Sequence, residues 1–382
     1  MTAFAIKGWC PSALRPMLSG DGLVVRLRPS GGRLSAGQAV GIAELAQRCG
    51  NGLVDLTSRA NLQIRGVRKD SHESLVHGLV QLGLVDDDQA MEAQRNIVVA
   101  PFWREGDDTY ALAAELEHAL AMRQLGLPEK FGFAIDCGPR RVLAQASADI
   151  RIERDVDGGL IVRADGVPQG RAVAGTEAVE TAMSLAEWFV ASGGAKDGRG
   201  RMAAHVAHGA KPPDTLAGHA EPAAAVSLEP GIHRNGALVG LAFGQTQCKT
   251  LDFLAGLASG LRLTPWRMIL VEGLREMPQH EDILTRAADP LLRVVACTGA
   301  PACPEAHTET RKLAAALAPH LAPDMRLHVS GCAKGCALPS ASDITLVGTP
   351  DGFDLVRNGS PRDVPARRGL SASNVRALVG AR

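Results

Sequence analysis

A chain of 382 residues, 46% of them hydrophobic, is long enough for two or more domains with sizeable cores. Its 41 basic and 41 acidic residues cancel, and only 3% of residues are aromatic, which argues against a nucleic-acid partner held by a global field or by base stacking. No apolar run approaches a membrane span, and the stretch from Met1 to Lys7 lacks the charged and apolar regions of a secretory leader, so a soluble cytoplasmic protein is expected.

The first predicted elements are a strand over 23–29 (LVVRLRP), a helix, and a strand-like run over 54–67 (VDLTSRANLQIRGV). Ser35 followed by Gln38 forms a capping box, Ile42, Leu45, Ala46 and Cys49 recur on one face, and Gly50 and Gly52 stop the helix. Alternation along the second run puts Arg59, Asn61, Gln63 and Arg65 on one face, with Ala60, Leu62 and Ile64 facing the core. That face is either a ligand-binding surface with two cations and two amides or the ordinary solvated side of a sheet. Arg26 and Arg28 alternate on the first strand with the same two readings.

Next come Arg95 ahead of a buried-looking Asn-Ile-Val-Val strand, a helix over 111–120, Lys130 in a Pro-Glu-Lys turn, a strand over 131–136 and a hairpin over 148–166. An unpaired charge at Arg95 would be costly, so an anionic partner is expected there. Residues 200–236 are rich in Ala, Pro, His and Gly without a clear period and read as a linker. Its histidines, His205, His208, His219 and His233, are too irregularly spaced for a metal tract.

The pattern then repeats. Strands over 238–244 and 261–273 flank a shorter helix, Thr264-Pro265-Trp266 aligns with Thr57-Ser58-Arg59, and Leu62-Gln63-Ile64 aligns with Ile269-Leu270-Val271. Farther on, Asp343 matches Asp149 and Asp351-Gly352 matches Asp157-Gly158. The expected organisation is a first half-domain (1–90), an α/β domain (91–199), the linker (200–236), a second half-domain (237–288) and a last α/β domain (289–382). A duplication of this kind commonly builds one site where its halves meet.

Only the second copy carries Cys297-x5-Cys303 and, after a gap of 28 residues, Cys332-x3-Cys336. Neither spacing is the C-x2-C common in structural zinc sites, and Gly, Ala and Pro between the thiols allow amides to close around a bulky anionic group. The leading reading is a [4Fe-4S] cluster on these four thiolates, with zinc on the same set as the alternative. Cys10, Cys49, Cys137 and Cys248 read as small buried hydrophobes.

The segments TSRANLQIRG, QRNIVVAP and LPEKF, with the four cysteines and the duplicated halves, resemble the sirohaem-dependent nitrite and sulfite reductase superfamily over essentially the whole chain. The resemblance implies an α+β fold: duplicated ferredoxin-like half-domains plus two α/β sandwich domains related by a pseudo-twofold. It implies cluster ligation by Cys297, Cys303, Cys332 and Cys336, and basic residues around a tetrapyrrole at Arg59, Arg95 and Lys130. The reductases' second lysine, in a Lys-x-Lys pair, is Gly132 here, which weakens the reading as a sulfite or nitrite reductase.

The N-terminal CPSALRPMLSGDGLVVRLRP and the late HVSGCAKGCALPSASDITLVG are similar to one branch, the precorrin-3B synthases of aerobic cobalamin biosynthesis. That similarity implies a metal-free tetrapyrrole substrate, precorrin-3A, and dioxygen-dependent hydroxylation at C-20 with closure of a γ-lactone. A [4Fe-4S] cluster, a mononuclear non-haem iron and NADH as reductant are implied with it, and a separate electron-donor protein is a further possible partner. Substrate-binding residues are expected at Arg59, Asn61, Gln63, Arg65, Arg95 and Lys130, with Arg267 reaching the ligand from the opposite half. The iron ligands are not assignable, since His307 and His328 have no facial-triad motif around them.

Overall fold

The computed structural model describes residues 10–85, 92 and 95–380. Its first half-domain runs β1 (Met17–Ser19), β2 (Gly22–Leu27), β3 (Arg33–Ser35), α1 (Ala36–Cys49), β4 (Leu53–Leu56), β5 (Leu62–Val67) and α2 (His72–Gln81). Ser35 caps α1 as the sequence requires: its hydroxyl accepts from the Gln38 amide while the Gln38 side chain accepts from the Ser35 amide. Gly50 ends the helix, its amide still bonding to the Ala46 carbonyl.

The first α/β domain has β6 (Ile97–Val99), α3 (Asp108–Met122), β7 (Phe133–Asp136), β8 (Ile150–Arg154), β9 (Leu160–Ala164), β10 (Arg171–Val173) and α4 (Gly175–Ala191), with short α5 (Met202–Ala207) following. β6, β7 and β8 are parallel, and β9 and β10 continue the sheet antiparallel. α3 and α4 bury Leu112, Leu116, Ala182 and Phe189 against Phe133, Ile150 and Ile152 of the sheet.

The repeat then supplies β11 (Gly231–His233), β12 (Gly236–Gly240), β13 (Gln245–Gln247), α6 (Cys248–Gly256), β14 (Gly260–Leu263) and β15 (Met268–Glu272). The last domain has β16 (Val294–Ala296), α7 (Arg311–Leu317), β17 (Leu327–Ser330), β18 (Ser342–Thr349), β19 (Gly352–Gly359), β20 (Arg367–Leu370) and α8 (Ala372–Gly380). Its parallel β16-β17-β18 followed by antiparallel β19 and β20 copies the first α/β sheet strand for strand. The duplication holds to single hydrogen bonds: Asp149 accepts from the Gly132 amide at 2.9 Å, and Asp343 accepts from the Arg326 amide at 2.7 Å.

Residues 200–236, read as a solvated linker, form a strap on the first α/β domain. Ala220 bridges to Gly170, Pro222 to Asp155 and Ala225 to Arg141. The second half-domain's own strand pairing begins at Gly231, within that stretch.

What joins the half-domains is an exchange of edge strands. β3 of the first pairs antiparallel with β14 of the second, and β13 of the second pairs antiparallel with β4 of the first. Each five-stranded sheet, β1-β2-β5-β4-β13 and β11-β12-β15-β14-β3, thus contains one strand from the other copy. Ala39 and Ile42 of α1 and Leu251 and Leu254 of α6 are buried in one core common to both sheets.

At these junctions the two copies carry inverted charges. Asp55 and Arg65 occupy the places of Arg262 and Glu272 in the repeat. In the first copy Arg65 bonds Asp21 at 2.8 Å and lies 3.6 Å from Asp55, while Gln245 of the exchanged strand donates to Asp55 at 2.8 Å. In the second, Glu272 accepts from Arg262 at 2.6 Å and from Arg33 of the exchanged strand at 2.7 Å and 2.8 Å. Arg262 also lies 3.9 Å above the Trp103 ring, tying this half to the first α/β domain.

Burial pushes the Glu272 carboxyl up, but bonds from Arg33 and Arg262 outweigh it and hold the group at about 2 against an ordinary 4.5. The stabilisation is therefore complete above about pH 4.5 and disappears as pH falls toward 2. Replacing Glu272→Gln leaves the buried Arg262 and the half-buried Arg33 short of a charge partner and should cost about 2 to 4 kcal/mol at pH 7. Urea unfolding of both proteins from pH 7 to pH 3 should show the gap narrowing as acid is added, and a gap independent of pH would contradict the pairing.

Candidate functional site

Thr57, Ser58, Arg59 and Ala60 make the turn between β4 and β5. The Thr57 hydroxyl accepts from the amides of Arg59 and Asn61, and Ala60 takes a left-handed φ of 55°. The turn carries Arg59 off the end of the sheet toward the first α/β domain, where its guanidinium donates to the Lys130 carbonyl at 2.8 Å and to Ser147 Oγ at 3.4 Å. Arg201 donates to the same Ser147 oxygen at 3.2 Å and is neutralised by the fully buried Asp149.

Arg59 is the centre of a cationic group. Desolvation, then Arg201 and Arg26, lower its pKa, while Cys10 and Asp149 oppose. Arg28, 4% exposed, is brought down to about 10 by desolvation first and then by Arg26, with Arg95 adding to the repulsion. Glu92, 3.7 Å away, answers part of this, and its carboxylate also holds the Ala13 amide at 2.8 Å. The Nη1 of Arg59 is buried without a hydrogen-bond acceptor among the described residues. Arg95 stands just before β6, half-buried, and donates to Ser30 Oγ at 3.3 Å. The Lys130 residue is exposed.

Gly132 explains the missing second lysine. Its amide and carbonyl are both held by Asp149, and a Cβ there would lie 3.0 Å from the Asn96 carbonyl. A side chain at this position would require the Asn96 carbonyl to give by a few tenths of an ångström.

The alternating face needs correction. Asn61, Gln63 and Arg65 do share a side of β5, but Arg59 belongs to the turn, and Asn61 and Arg65 are each only 6% exposed. That side is packed against the last domain: Arg311 at the start of α7 reaches Asp55 at 3.5 Å. Arg65 is engaged with Asp21 and Asp55, and the Gln63 amide oxygen faces Arg26 at 2.8 Å once its amide is oriented to satisfy both groups. The surface is an interdomain seam, neither solvated nor an open row of cations and amides. Arg267 is likewise corrected: its guanidinium donates to the Val294 and Leu292 carbonyls at the root of β16, and burial brings it down to about 10.

The four cysteines lie past the C-terminal ends of the parallel strands β16 and β17, the usual place for ligands in such sheets. The Gly331 amide donates to Cys297 Sγ at 3.1 Å, and a Cβ on Gly331 would collide with Ala306 at 2.6 Å, so only glycine lets the backbone this close. The Cys332 thiol is raised by burial, against the Lys334 amide, and then by Cys297 and Cys303; Cys336 is raised by desolvation, against Lys334, and then by the other three. The four are therefore electrostatic neighbours. Among the described residues no three His, Cys, Asp or Glu side chains converge closely enough for a single ion. Four neighbouring thiols, with the Gly331 and Lys334 amides aimed at sulfur, are a donor set of the chemistry an iron-sulfur cluster requires.

The first cysteine loop is pinned to the opposite half-domain. Ser19 Oγ and the Gly20 amide both donate to the Ala302 carbonyl, at 2.7 Å and 3.0 Å, and a Cβ on Gly20 would stand 2.3 Å from the Pro301 oxygen. Among the described residues no set of two histidines and a carboxylate is assembled for a single metal ion. His328 is fully buried with neither ring nitrogen bonded and is lowered by burial to about 4, and His307 is exposed.

Arg201, Arg311 and Asp149 were missed as site-forming residues by sequence reasoning. Arg201 sits in the segment read as linker, and only the match of Asp149 to Asp343 hinted that its neighbourhood is structured. A cavity of about 1030 Å³ lies away from the arginine group, at the ends of β6 and β7 in the first α/β domain.

Residues 15–82 match the family model of the nitrite/sulfite reductase ferredoxin-like half domain. A precorrin-3B synthase from Sinorhizobium sp is 31% identical, over 94% of this chain and 84% of the relative. A ferredoxin–nitrite reductase from Leptolyngbya laminosa is 26% identical over 92% of this chain and 82% of its own. Among solved structures, the NirA protein of Mycobacterium tuberculosis superposes with a TM-score of 0.64 at 16% identity, over 94% of this chain and 79% of that one, a likeness of fold. With the fold of that superfamily and a near full-length match, the chain belongs to the precorrin-3B synthase family, a branch of the sirohaem nitrite and sulfite reductases.

Proposed function

We propose that the protein is an oxidoreductase acting on precorrin-3A, hydroxylating C-20 with dioxygen and closing a γ-lactone. The observation that carries this reading is the buried, unanswered Nη1 of Arg59 within a group of five arginines that includes Arg26, Arg28, Arg95 and Arg201. Asp149 pairs with Arg201 and Glu92 with Arg28, while Arg59 and Arg26 make no ion pair among the described residues, which suits a macrocycle bearing many carboxylates. Arg59 and Arg95 would bind and orient such carboxylates, with Lys130 adding a mobile charge at the edge. Asn61, Gln63 and Arg65 would support this floor from below by fixing Arg26 and closing the seam to the last domain.

Cys297, Cys303, Cys332 and Cys336 would hold a [4Fe-4S] cluster, which when bound supplies single electrons to the bound substrate's chemistry. NADH would be the ultimate reductant, delivered directly or through a donor protein. The closed position at Gly132 removes a cation that anion reduction needs, which supports an organic substrate over sulfite or nitrite.

Replacing Arg59→Leu should weaken binding of a polycarboxylate tetrapyrrole by about 10- to 100-fold, the range for a charged hydrogen bond. Absorbance titration with uroporphyrin measures this, and unchanged affinity in a folded variant would remove Arg59 from the site. Replacing Cys336→Ser should abolish the broad visible shoulder and the EPR signal of the dithionite-reduced protein, along with bound iron and sulfide. Retention of all three would refute its assignment as a ligand.

A further inference from the structure

The cavity of about 1030 Å³ in the first α/β domain stands where the pseudo-twofold would place a second set of cysteine loops. Ala100 follows β6 as Cys297 follows β16, and Cys137-Gly138 follows β7 as Gly331-Cys332 follows β17. Ala100 and Gly138 stand where the second copy has Cys297 and Cys332, Cys137 takes the place of Gly331, and the space between the strand ends is open. Its size falls in the range of small-molecule sites.

The lining has three parts. Phe102, Val142 and Leu228 make an apolar wall, with the His233 ring 5.3 Å from that of Phe102. Arg104, Arg140 and Arg234 are exposed at the rim, and among the described residues their side chains make no hydrogen bond or ion pair. Asp136 is 2% exposed: its Oδ2 accepts from the Leu143 amide at 2.7 Å, and its Oδ1 has no donor. Of the other carboxylates in the lining, Asp108 is paired with Arg154, Asp107 caps α3 and Asp155 closes a turn, the last two keeping their charge, and Asp157 is exposed. An orphaned buried acceptor costs free energy that a ligand donor would return.

We infer that this cavity binds a second tetrapyrrole carboxylate, with its carboxylates on Arg104, Arg140 and Arg234, its ring against Phe102 and Leu228, and a pyrrole N–H on Asp136. Burial holds the Asp136 carboxyl up at about 6, so near neutral pH it is mainly an acceptor, as a pyrrole N–H requires. A flat apolar body with several anions and inward N–H donors satisfies all three parts together. Such a site would hold substrate or product away from the arginine group around Arg59.

The test is a titration of the purified holoprotein with uroporphyrin, following porphyrin absorbance and fluorescence. Two molecules should bind per chain. The double variant Arg140→Glu, Arg234→Glu and the single variant Gly138→Leu should each weaken one binding event at least tenfold and leave the other. A Cβ at Gly138 meets nothing closer than 3.9 Å, so that variant plugs the cavity without forcing the backbone. Arg59→Glu should remove the complementary event, which keeps the two sites apart: loss on the rim variants alone, with Arg59→Glu silent, would support this cavity and count against the Arg59 site. Uroporphyrin binding that is indifferent to both the rim and Gly138 variants overturns the inference. So does a rim variant that loses NADH binding while its porphyrin stoichiometry stays unchanged.

Discussion

The reciprocal loan of β3 and β13 is the constraint on which the rest of the molecule depends. An edge strand left unpaired exposes a row of amides and carbonyls, and here each half-domain covers the other's edge. The exchange fixes the pseudo-twofold, because α1 and α6 can bury their apolar faces only against one another and the two sheets they share. With that axis set, each half-domain's turn meets the α/β domain that follows it in sequence, through Arg59 in one copy and Arg267 in the other. The sheet faces instead meet the α/β domain of the opposite copy, through Arg311 and Trp103. Four domains are thereby held around one interior without a long rigid linker.

Much of this was legible in the residues. The capping box at Ser35, the strand alternation and the correspondence of Asp149 with Asp343 are local signals, and each reports a local hydrogen bond that forms. The strand exchange was not legible, because pairing Arg33 with Arg262 or Gln245 with Asp55 is a non-local choice that neither segment records. The same blindness affected the face of β5. Alternation says which side chains share a side, and it says nothing of what the chain later lays across them, so Asn61 and Arg65 read as part of an accessible face, ligand-binding or solvated, when each is only 6% exposed. Arg201 was hidden by composition, since a stretch rich in Ala, Pro and Gly can still lie pinned along a domain surface.

The two copies have diverged in chemistry while keeping their frame. One carries four cysteines past its strand ends, the other an open cavity beside Cys137, and the turn that carries the buried Arg59 to the Lys130 carbonyl in the first copy becomes, at Arg267, a tie to the Val294 and Leu292 carbonyls. The inversion of Asp55 and Arg65 into Arg262 and Glu272 shows how such divergence stays compatible with folding. A buried pair tolerates exchange of its signs far better than loss of either partner.

The contact of Ser19 and Gly20 with the Ala302 carbonyl has a consequence for assembly. The hairpin that emerges among the earliest parts of the chain must wait for one of the last before it can seat. Connectivity thus ties the first cysteine loop to a hairpin some 280 residues earlier in the chain, so the loop takes its seated shape only when the two halves have come together.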